Sequence, residues 1–196
     1  MNRIRTAIFG GSFNPIHKGH TALARQIINE QLADEVWLMV SPQNPLKKDS
    51  NLMDEEFRLK LAQLAVKNDK NIKVSNFEFK LSRPSYTWKT LLELTQSYPD
   101  REFLLVIGAD NWNLFNKWAH HNDILLGYPI IIYPRKGYPV NKEMLPDTVH
   151  FMDAPIYPYS STEIRNAYNT LTEMLDSGVL EAFINQPYPS KHVCEY

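Results

Sequence analysis

The sequence is short of the residues that build disulfides and thiolate metal sites. Cys194 is the one cysteine among 196 residues, so the chain can form neither an intramolecular disulfide nor a thiolate-rich metal cage. We therefore expect a reducing, cytoplasmic setting. The amino-terminal stretch has too few consecutive apolar residues for a signal peptide, and no run reaches the roughly 18 apolar residues of a membrane span.

The chain also lacks an excess of either charge. Its 21 lysines and arginines against 22 aspartates and glutamates give a net charge of −1, so no overall basic field predicts nucleic acid as a partner. Apolar residues make up 43% of the chain and aromatic residues 12%, enough for one core. We predict a single domain over residues 1–196, with a core at about 1–155 and a C-terminal helical addition at about 156–196. The composition leaves open whether the chain forms a homo-oligomer.

Short apolar runs alternate with amphipathic stretches through most of the chain. Strands are predicted at residues 6–10, 35–40, 72–79, 102–107, 129–133 and 149–152, and helices at about 20–31, 54–68, 87–97, 111–118 and 122–126. This order predicts an α/β, Rossmann-like fold: an open, mostly parallel sheet with helices on both faces. Ligands of such sheets bind beyond the carboxyl ends of the strands, so we expect functional residues in the loops that follow them.

Glycine is scarce, yet three of the seven glycines, Gly10, Gly11 and Gly19, lie within ten positions after the first predicted strand. Glycine lets a ligand approach the backbone closely, and the start of the next helix offers free amides and a positive dipole end. We predict a phosphate site here; an ordinary tight turn is the alternative. The spacing matches neither the G-x-G-x-x-G fingerprint nor the P-loop, which removes the main support for hydride transfer and for P-loop chemistry.

Two histidines, His17 and His20, follow at the predicted helix start. Their spacing of three places both rings on one helix face, aimed at the same anion. They could act as phosphate ligands or as a metal pair. A metal pair needs further ligands, and the four other histidines of the chain lie in no partner motif, so phosphate is favoured.

Two segments carry a resemblance to a known family. GGSFNPIHKGH, at residues 10–20, resembles the G-G-x-F-x-P-x-H-x-G-H signature of the HxGH nucleotidyltransferase superfamily. YSSTEIR, at residues 159–165, resembles the I-S-S-T-x-x-R element of the same superfamily. Within it, Ser160 and Glu163 form a capping-box pattern that marks a helix start, and Arg165 can reach an anion bound there. A capping box alone predicts only a helix start.

Further segments narrow the resemblance. They are NPLKK at residues 44–48, SYT at 85–87, GAD at 108–110 with a tryptophan eight residues later, and YPR at 133–135. In this order they make the chain similar to bacterial nicotinate-nucleotide adenylyltransferases over about residues 4–167. Two departures stand out. Lys89 occupies a position where that family commonly has aspartate, and Arg83-Pro84 replaces a more glycine-rich approach to SYT.

The resemblance implies adenylyl transfer from ATP to nicotinate mononucleotide, which yields nicotinate adenine dinucleotide and pyrophosphate in NAD biosynthesis. Mg²⁺ would accompany ATP, bound mainly through the triphosphate. Nicotinamide mononucleotide, phosphopantetheine or another phosphate ester are alternative acceptors within this class. From a different class, a nucleotide-binding sensor that has lost turnover remains an alternative.

The resemblance also implies site residues, each named by its position in this sequence. The catalytic residues would be His17, His20, Lys47 and Arg165, which contact the phosphates of ATP. Further ATP contacts would come from Gly10, Gly11, Ser12, Phe13, Ser161 and Thr162. The mononucleotide would be held by Asn44, Lys47, Tyr86, Thr87, Asp110 and Trp118. Among these, Trp118 would stack on the pyridine ring, and Asp110 would orient a ribose or a magnesium-bound water.

Overall fold

Parallel strands form the centre of the molecule. The computed structural model describes residues 3–42, 52–157, 161, 164 and 174–184. Its strands are β1 (Ile4–Gly11), β2 (Glu35–Val40), β3 (Ile72–Ser75), β4 (Arg101–Gly108), β5 (Ile130–Tyr133) and β6 (Val149–Phe151). They form one sheet in the order β3-β2-β1-β4-β5-β6, in which every neighbouring pair is parallel.

Helices cover both faces of this sheet. They are α1 (Lys18–Asn29), α2 (Glu55–Ala65), α3 (Thr87–Ser97), α4 (Ala109–Trp112), α5 (His121–Gly127) and α6 (Ser177–Ile184). Side chains alternate along β1, so that Phe9 joins the core beneath α1, α2 and α6 while Ile8 joins the core beneath α3 and α5. The predicted Rossmann-like sheet is confirmed. α6 packs against α2, whereas the division into a core and a C-terminal addition stays a prediction.

The prediction of one long strand at 72–79 is wrong. β3 ends at Ser75, and a 3₁₀ turn follows at Phe77–Lys80. The hydroxyl oxygen of Ser75 accepts a hydrogen bond from the amide of Phe77 at 3.2 Å. This local bond competes with pairing to the neighbouring strand, because serine side chains offer the backbone an alternative to the sheet.

The prediction of a continuous helix at 111–118 is also wrong. α4 ends at Trp112, and a 3₁₀ turn forms at Phe115–Lys117. Trp112, Phe115 and Trp118 recur every third residue, and the first two rings stack at 5.3 Å. Residues three apart eclipse one another in a 3₁₀ turn, which suits this aromatic spacing. The other predicted bounds agree with the structure to within three residues.

Arg58 of α2 joins the loops at the carboxyl edge of the sheet. Its side chain is fully buried and donates to the carbonyl oxygens of Ser12 at 2.5 Å and Ser41 at 2.7 Å. It also donates to the carbonyl oxygens of Pro42 at 3.1 Å and Met53 at 3.0 Å. One guanidinium therefore holds together the loop after β1, the chain after β2 and the chain before α2.

No helix in the described part of the chain is long and apolar enough to cross a membrane.

A buried carboxylate, Glu35, ties the opposite edge of the sheet together. Its oxygens accept hydrogen bonds from Thr6 at 2.9 Å, Arg101 at 2.9 Å and Lys73 at 2.7 Å. These partners belong to β1, β4 and β3, so one side chain of β2 links four strands. Burial raises the pKa of Glu35, but the hydrogen bonds from Lys73, Thr6 and Arg101 outweigh it, and the net pKa lies below its ordinary value of 4.5.

We expect Glu35→Gln to destabilise the fold by about 2 kcal/mol near pH 7, because it removes buried charge-assisted hydrogen bonds. The lowered pKa means that the carboxylate stabilises the folded state above pH 4.5 and that this contribution disappears as the pH falls through the lowered value. Urea unfolding at neutral and acidic pH measures the difference. As a control, Asp34→Asn removes an exposed ion pair with Arg5 and should cost less than about 1 kcal/mol. An equal loss for Glu35→Gln at both pH values would contradict the prediction.

Candidate active site

The end of β1 leaves open space for a ligand. A Cβ atom added to Gly10 would meet no atom within 4 Å, whereas one added to Gly11 would lie 3.1 Å from the Phe13 ring. Phe13 has a φ of 42°, and its buried ring packs edge-on against His20 with centroids 5.0 Å apart. The Phe13 side chain therefore supports His20 from the core. Any contact of Phe13 with a ligand stays a prediction.

His17 and His20 form a close pair at the start of α1. Their rings lie 3.7 Å apart at an interplanar angle of 31°, and the backbone amide of His17 donates to Nδ1 of His20 at 3.3 Å. Since Nδ1 of His20 is an acceptor, the proton of the neutral ring lies on Nε2. A Cβ on Gly19 would lie 3.1 Å from the His17 ring. Glycine at this position thus makes room for the ring over the first turn of the helix.

The surroundings of both histidines favour their neutral forms in the free protein. Burial, followed by the nearby Arg135 cation, lowers the pKa of His17 from 6.5 to about 3. Burial, His17 and Arg135 together lower the pKa of His20 well below 6.5. Nδ1 of His17 is buried and has no hydrogen-bond partner among the described residues. The pair is therefore desolvated and carries hydrogen-bonding capacity that an anionic ligand can use.

Arg135 brings a positive charge to this edge of the sheet. It follows β5, and its Nε lies 3.7 Å from Oδ1 of Asp110, which follows β4. Its Nη2 donates to the Tyr133 hydroxyl at 3.2 Å. Neither Nε of Arg135 nor Oδ1 of Asp110 has a hydrogen-bond partner within the described part of the chain, although both atoms are buried. Two oppositely charged groups at the site are thus paired loosely enough to contact a ligand.

A cavity of about 200 Å³ opens on the other face of β1. Gly10 and Gly11 at the end of β1 line it together with Ser12, and Tyr86 and Thr87 line it from the start of α3. Trp118 lines it after the 3₁₀ turn, and Nε1 of this tryptophan is buried without a partner in the described residues. The segment from Gly10 to Ser12 at the end of β1, here called the glycine loop, therefore lies between a histidine half-site at the start of α1 and an aromatic half-site at the start of α3.

The remaining predicted site residues fall into two groups. Ser161 is placed beside the loop before α1, because its hydroxyl donates to the carbonyl oxygen of Pro15 at 3.0 Å. Asn44, Lys47, Thr162 and Arg165 lie outside the described residues. Their predicted contacts with ATP and the mononucleotide stay predictions.

The sequence motifs predicted no role for Arg135 or Glu78. Arg135 lies in the YPR segment directly after β5, so the rule that parallel strands end at one edge could have placed it in the site. Glu78 was hidden inside the strand wrongly predicted at 72–79. It is buried and lines the cavity, and no sequence pattern distinguished it from its neighbours in that predicted strand.

Comparisons with known proteins show the family to which the chain belongs. A family model described as cytidylyltransferase-like matches residues 8–167, which contain the glycine loop, both histidines and the cavity. The chain belongs to the cytidylyltransferase-like family. It is 46% identical to a Bacteroides fragilis protein named "Probable nicotinate-nucleotide adenylyltransferase", and the match covers 99% of both chains. A Bacteroides thetaiotaomicron protein of the same name is 48% identical over 85% of this chain and 82% of its own length.

Solved structures share the cytidylyltransferase-like fold of this chain. One is the Plasmodium falciparum nicotinic acid mononucleotide adenylyltransferase complexed with NaAD, with a TM-score of 0.78, 18% identity and coverage of 92% of this chain and 95% of that one. Another is a structure titled as a putative nicotinate-nucleotide adenylyltransferase from Vibrio parahaemolyticus, with a TM-score of 0.68, 24% identity and coverage of 93% and 99%. At these identities the similarity concerns the fold.

The low pKa of His17 predicts that its ring stays neutral in the folded protein at any pH well above 3. We expect ¹⁵N NMR of the ring to show no protonation near pH 6, whereas the urea-unfolded chain should titrate at about 6.5. Because the folded pKa lies below the unfolded one, this contribution to stability is fully present above pH 6.5 and is lost progressively as the pH falls from 6.5 towards about 3. Adding a triphosphate should raise the folded midpoint. A folded midpoint between about 6 and 7 without ligand would contradict the prediction.

Proposed function

We propose that the protein transfers the adenylyl group of ATP to nicotinate mononucleotide, forming nicotinate adenine dinucleotide and pyrophosphate. The observation that carries this proposal is the pair of half-sites on either side of the glycine loop. One holds a desolvated histidine pair at a helix start, and the other has an aromatic wall. A relative that matches nearly the whole chain bears the corresponding enzyme name. We place the reaction in the cytosol, the setting expected from a single cysteine.

The triphosphate of ATP would lie over the glycine loop and the start of α1. The backbone amides of Gly10, Gly11 and Ser12 would lie beneath the phosphates, and His17 and His20 would donate ring N–H groups to the α- and β-phosphate oxygens. Neutral rings in a desolvated pocket make strong hydrogen bonds to a polyanion. Lys47 and Arg165 would hold the β- and γ-phosphate oxygens. Arg135 is a further cation within electrostatic range of both histidines.

In the reaction, a phosphate oxygen of the mononucleotide attacks the α-phosphorus of ATP. The new P–O bond forms in line with the breaking bond, and pyrophosphate leaves with the bonding electrons. The attacking phosphate is already anionic near neutral pH, so the enzyme needs no strong base. Catalysis therefore consists of positioning the two substrates and stabilising charge on the phosphates.

The mononucleotide would occupy the cavity beneath α3. Trp118 would stack on its pyridine ring, and the backbone amides of Tyr86 and Thr87 would hold the ring carboxylate. Asp110 and Asn44 would contact the ribose side. The half-buried Lys89 donates to Ser82 at 2.8 Å, and Arg83 pairs with Glu55 at 2.7 Å. Both departures from the family pattern thus support the loop that leads into the cavity.

Mg²⁺ would arrive with the triphosphate as part of the nucleotide substrate. The described residues contain no cluster of three or more histidine, cysteine, aspartate or glutamate side chains that could hold a resident metal ion. Oδ1 of Asp110 is nevertheless buried without a hydrogen-bond partner among them, and a carboxylate oxygen of this kind suits a magnesium-bound water. Bound magnesium would neutralise charge on the phosphate oxygens.

Pyrophosphate release tests the function directly. The purified protein is incubated with Mg-ATP and, separately, with nicotinate mononucleotide, nicotinamide mononucleotide or phosphopantetheine. We expect the highest kcat/KM with nicotinate mononucleotide. Preference for another acceptor would keep the nucleotidyl transfer and reject the acceptor assignment. ATP binding without pyrophosphate release for any acceptor would favour a nucleotide sensor.

Gly10→Ala should lower kcat/KM at least about tenfold without destabilising the protein, because its methyl group would fill the space intended for substrate. Gly127→Ala is the matched control. A Cβ at either glycine meets no protein atom within 4 Å, but Gly127 ends α5, away from the cavity. Steady-state kinetics and thermal unfolding of both variants give the comparison. Equal kinetics for the two variants would reject the placement of substrate over Gly10.

Trp118→Ala should raise the KM for the mononucleotide about tenfold or more, since stacking on an aromatic ring contributes about 1–3 kcal/mol. The KM for ATP should change little. Trp112→Ala is a suitable control, because Trp112 stacks on the same Phe115 ring but does not line the cavity. A change confined to the KM for ATP would assign Trp118 to the other half-site.

A further inference from the structure

A buried carboxyl group, Glu78, lies in the wall of the acceptor cavity. Its Oε2 accepts a hydrogen bond from the Ser41 hydroxyl at 2.7 Å and another from the Ser85 hydroxyl at 3.0 Å. Its Oε1 accepts from the Thr90 hydroxyl at 3.0 Å. All four side chains line the cavity. One carboxyl therefore joins the end of β2, the loop before α3 and the first turn of α3.

Glu78 differs in kind from the other buried glutamate, Glu35. Glu35 is held by Arg101 and Lys73, whereas the hydrogen bonds to Glu78 come from three hydroxyls. Among the described residues, neither lysine nor arginine forms an ion pair with Glu78. Burial raises the pKa of Glu78, and the three hydroxyl groups oppose this shift. A carboxyl group is costly to bury. If Glu78 served only to stabilise the fold, a lysine or arginine partner would offset this cost better than hydroxyl groups do.

The partners of Glu78 bracket the residues expected to hold the acceptor. Ser85 immediately precedes Tyr86 and Thr87, and Thr90 lies just beyond them. The carbonyl oxygen of Tyr86 accepts hydrogen bonds from the amides of Lys89 and Thr90 at 3.0 and 3.1 Å. Glu78 thus fixes the start of α3 on both sides of the two residues whose amides would contact the substrate.

The same network reaches the glycine loop. The amide of Ser41 donates to the carbonyl oxygen of Gly11 at 2.9 Å, while Arg58 donates to the carbonyl oxygens of Ser41 and Ser12. Ser41 is therefore bound to the phosphate-side loop through its backbone and to Glu78 through its side chain. The distance between the two half-sites is set through this one residue and its partners.

We infer that Glu78 is a positioning residue for the acceptor: through Ser85 and Thr90 it fixes the amides of Tyr86 and Thr87, and through Ser41 it holds them at a set distance from the glycine loop. This inference rests on the proposed function. Glu78 acts through its hydroxyl partners, and replacing it should leave the ATP half-site intact. Its loss should therefore change the KM for nicotinate mononucleotide more than the KM for ATP.

The test is steady-state kinetics of Glu78→Gln with both substrates varied. We expect the KM for nicotinate mononucleotide to rise about tenfold, the scale of one misplaced charge-assisted hydrogen bond, while the KM for ATP changes less than about twofold. Glu35→Gln is the matched control, because it alters an equally buried glutamate at the far edge of the sheet. It should lower stability and leave both KM values unchanged.

Single-hydroxyl variants decide the matter if Glu78→Gln does not fold. Ser85→Ala and Thr90→Val each remove one hydrogen bond to the carboxyl and should each raise the KM for the mononucleotide by a smaller factor, again without a matching change for ATP. Equal changes in both KM values, or wild-type constants in all the Glu78, Ser85 and Thr90 variants, would overturn the inference. Wild-type protein that shows no turnover with nicotinate mononucleotide would instead overturn the proposed function, and the inference with it.

Discussion

The parallel pairing of β1 with two neighbours is the constraint on which the rest of the structure depends. β1 pairs with β2 through Gly11 opposite Val40 and with β4 through Phe9 opposite Val106. Because all three strands point the same way, their following loops meet at one edge, and the chain leaving β1 passes between two cores. Gly10 at this point leaves the space above the strand end unfilled. The two half-sites exist because one strand separates the helical layers.

The polar groups at this edge are buried, and the way in which each is satisfied decides its function. Arg58 is satisfied by backbone carbonyls and Glu78 by hydroxyls, so both hold loops in place at fixed distances. His17, Asp110 and Arg135 keep atoms without protein partners in the described part of the chain. A native protein rarely buries unsatisfied polar atoms, and at the carboxyl edge of the sheet they are explained most simply as ligand contacts. At this edge, the satisfied groups hold loops in place and the unsatisfied groups are the candidates for ligand binding.

Sequence patterns predicted what depends on local periodicity and on motifs. The β2 strand and the α3 helix were predicted with their observed bounds, since each has a strong apolar pattern between clear breaks. The pairing of His17 with His20 followed from helical spacing. The role of Glu78 could not be predicted, because it depends on Ser41, Ser85 and Thr90 meeting across three segments. Likewise, the loose pairing of Arg135 with Asp110 joins the ends of two different strands, and no local pattern encodes such a contact.

A net charge of −1 and a polyanionic substrate are compatible because the electrostatics of the site are local. Burial is the main cause that lowers the pKa of both histidines, and Arg135 lowers both values further, so the free protein favours neutral rings beside this cation. A triphosphate reverses this balance, since its oxygens stabilise protonated rings and accept hydrogen bonds from neutral ones. Under the proposed function, the pocket would thus avoid the cost of burying several cations in the empty state. Neutral histidines would then suit a site that must also release pyrophosphate better than two lysines, because they would hold the anion by hydrogen bonds and not by fixed positive charge.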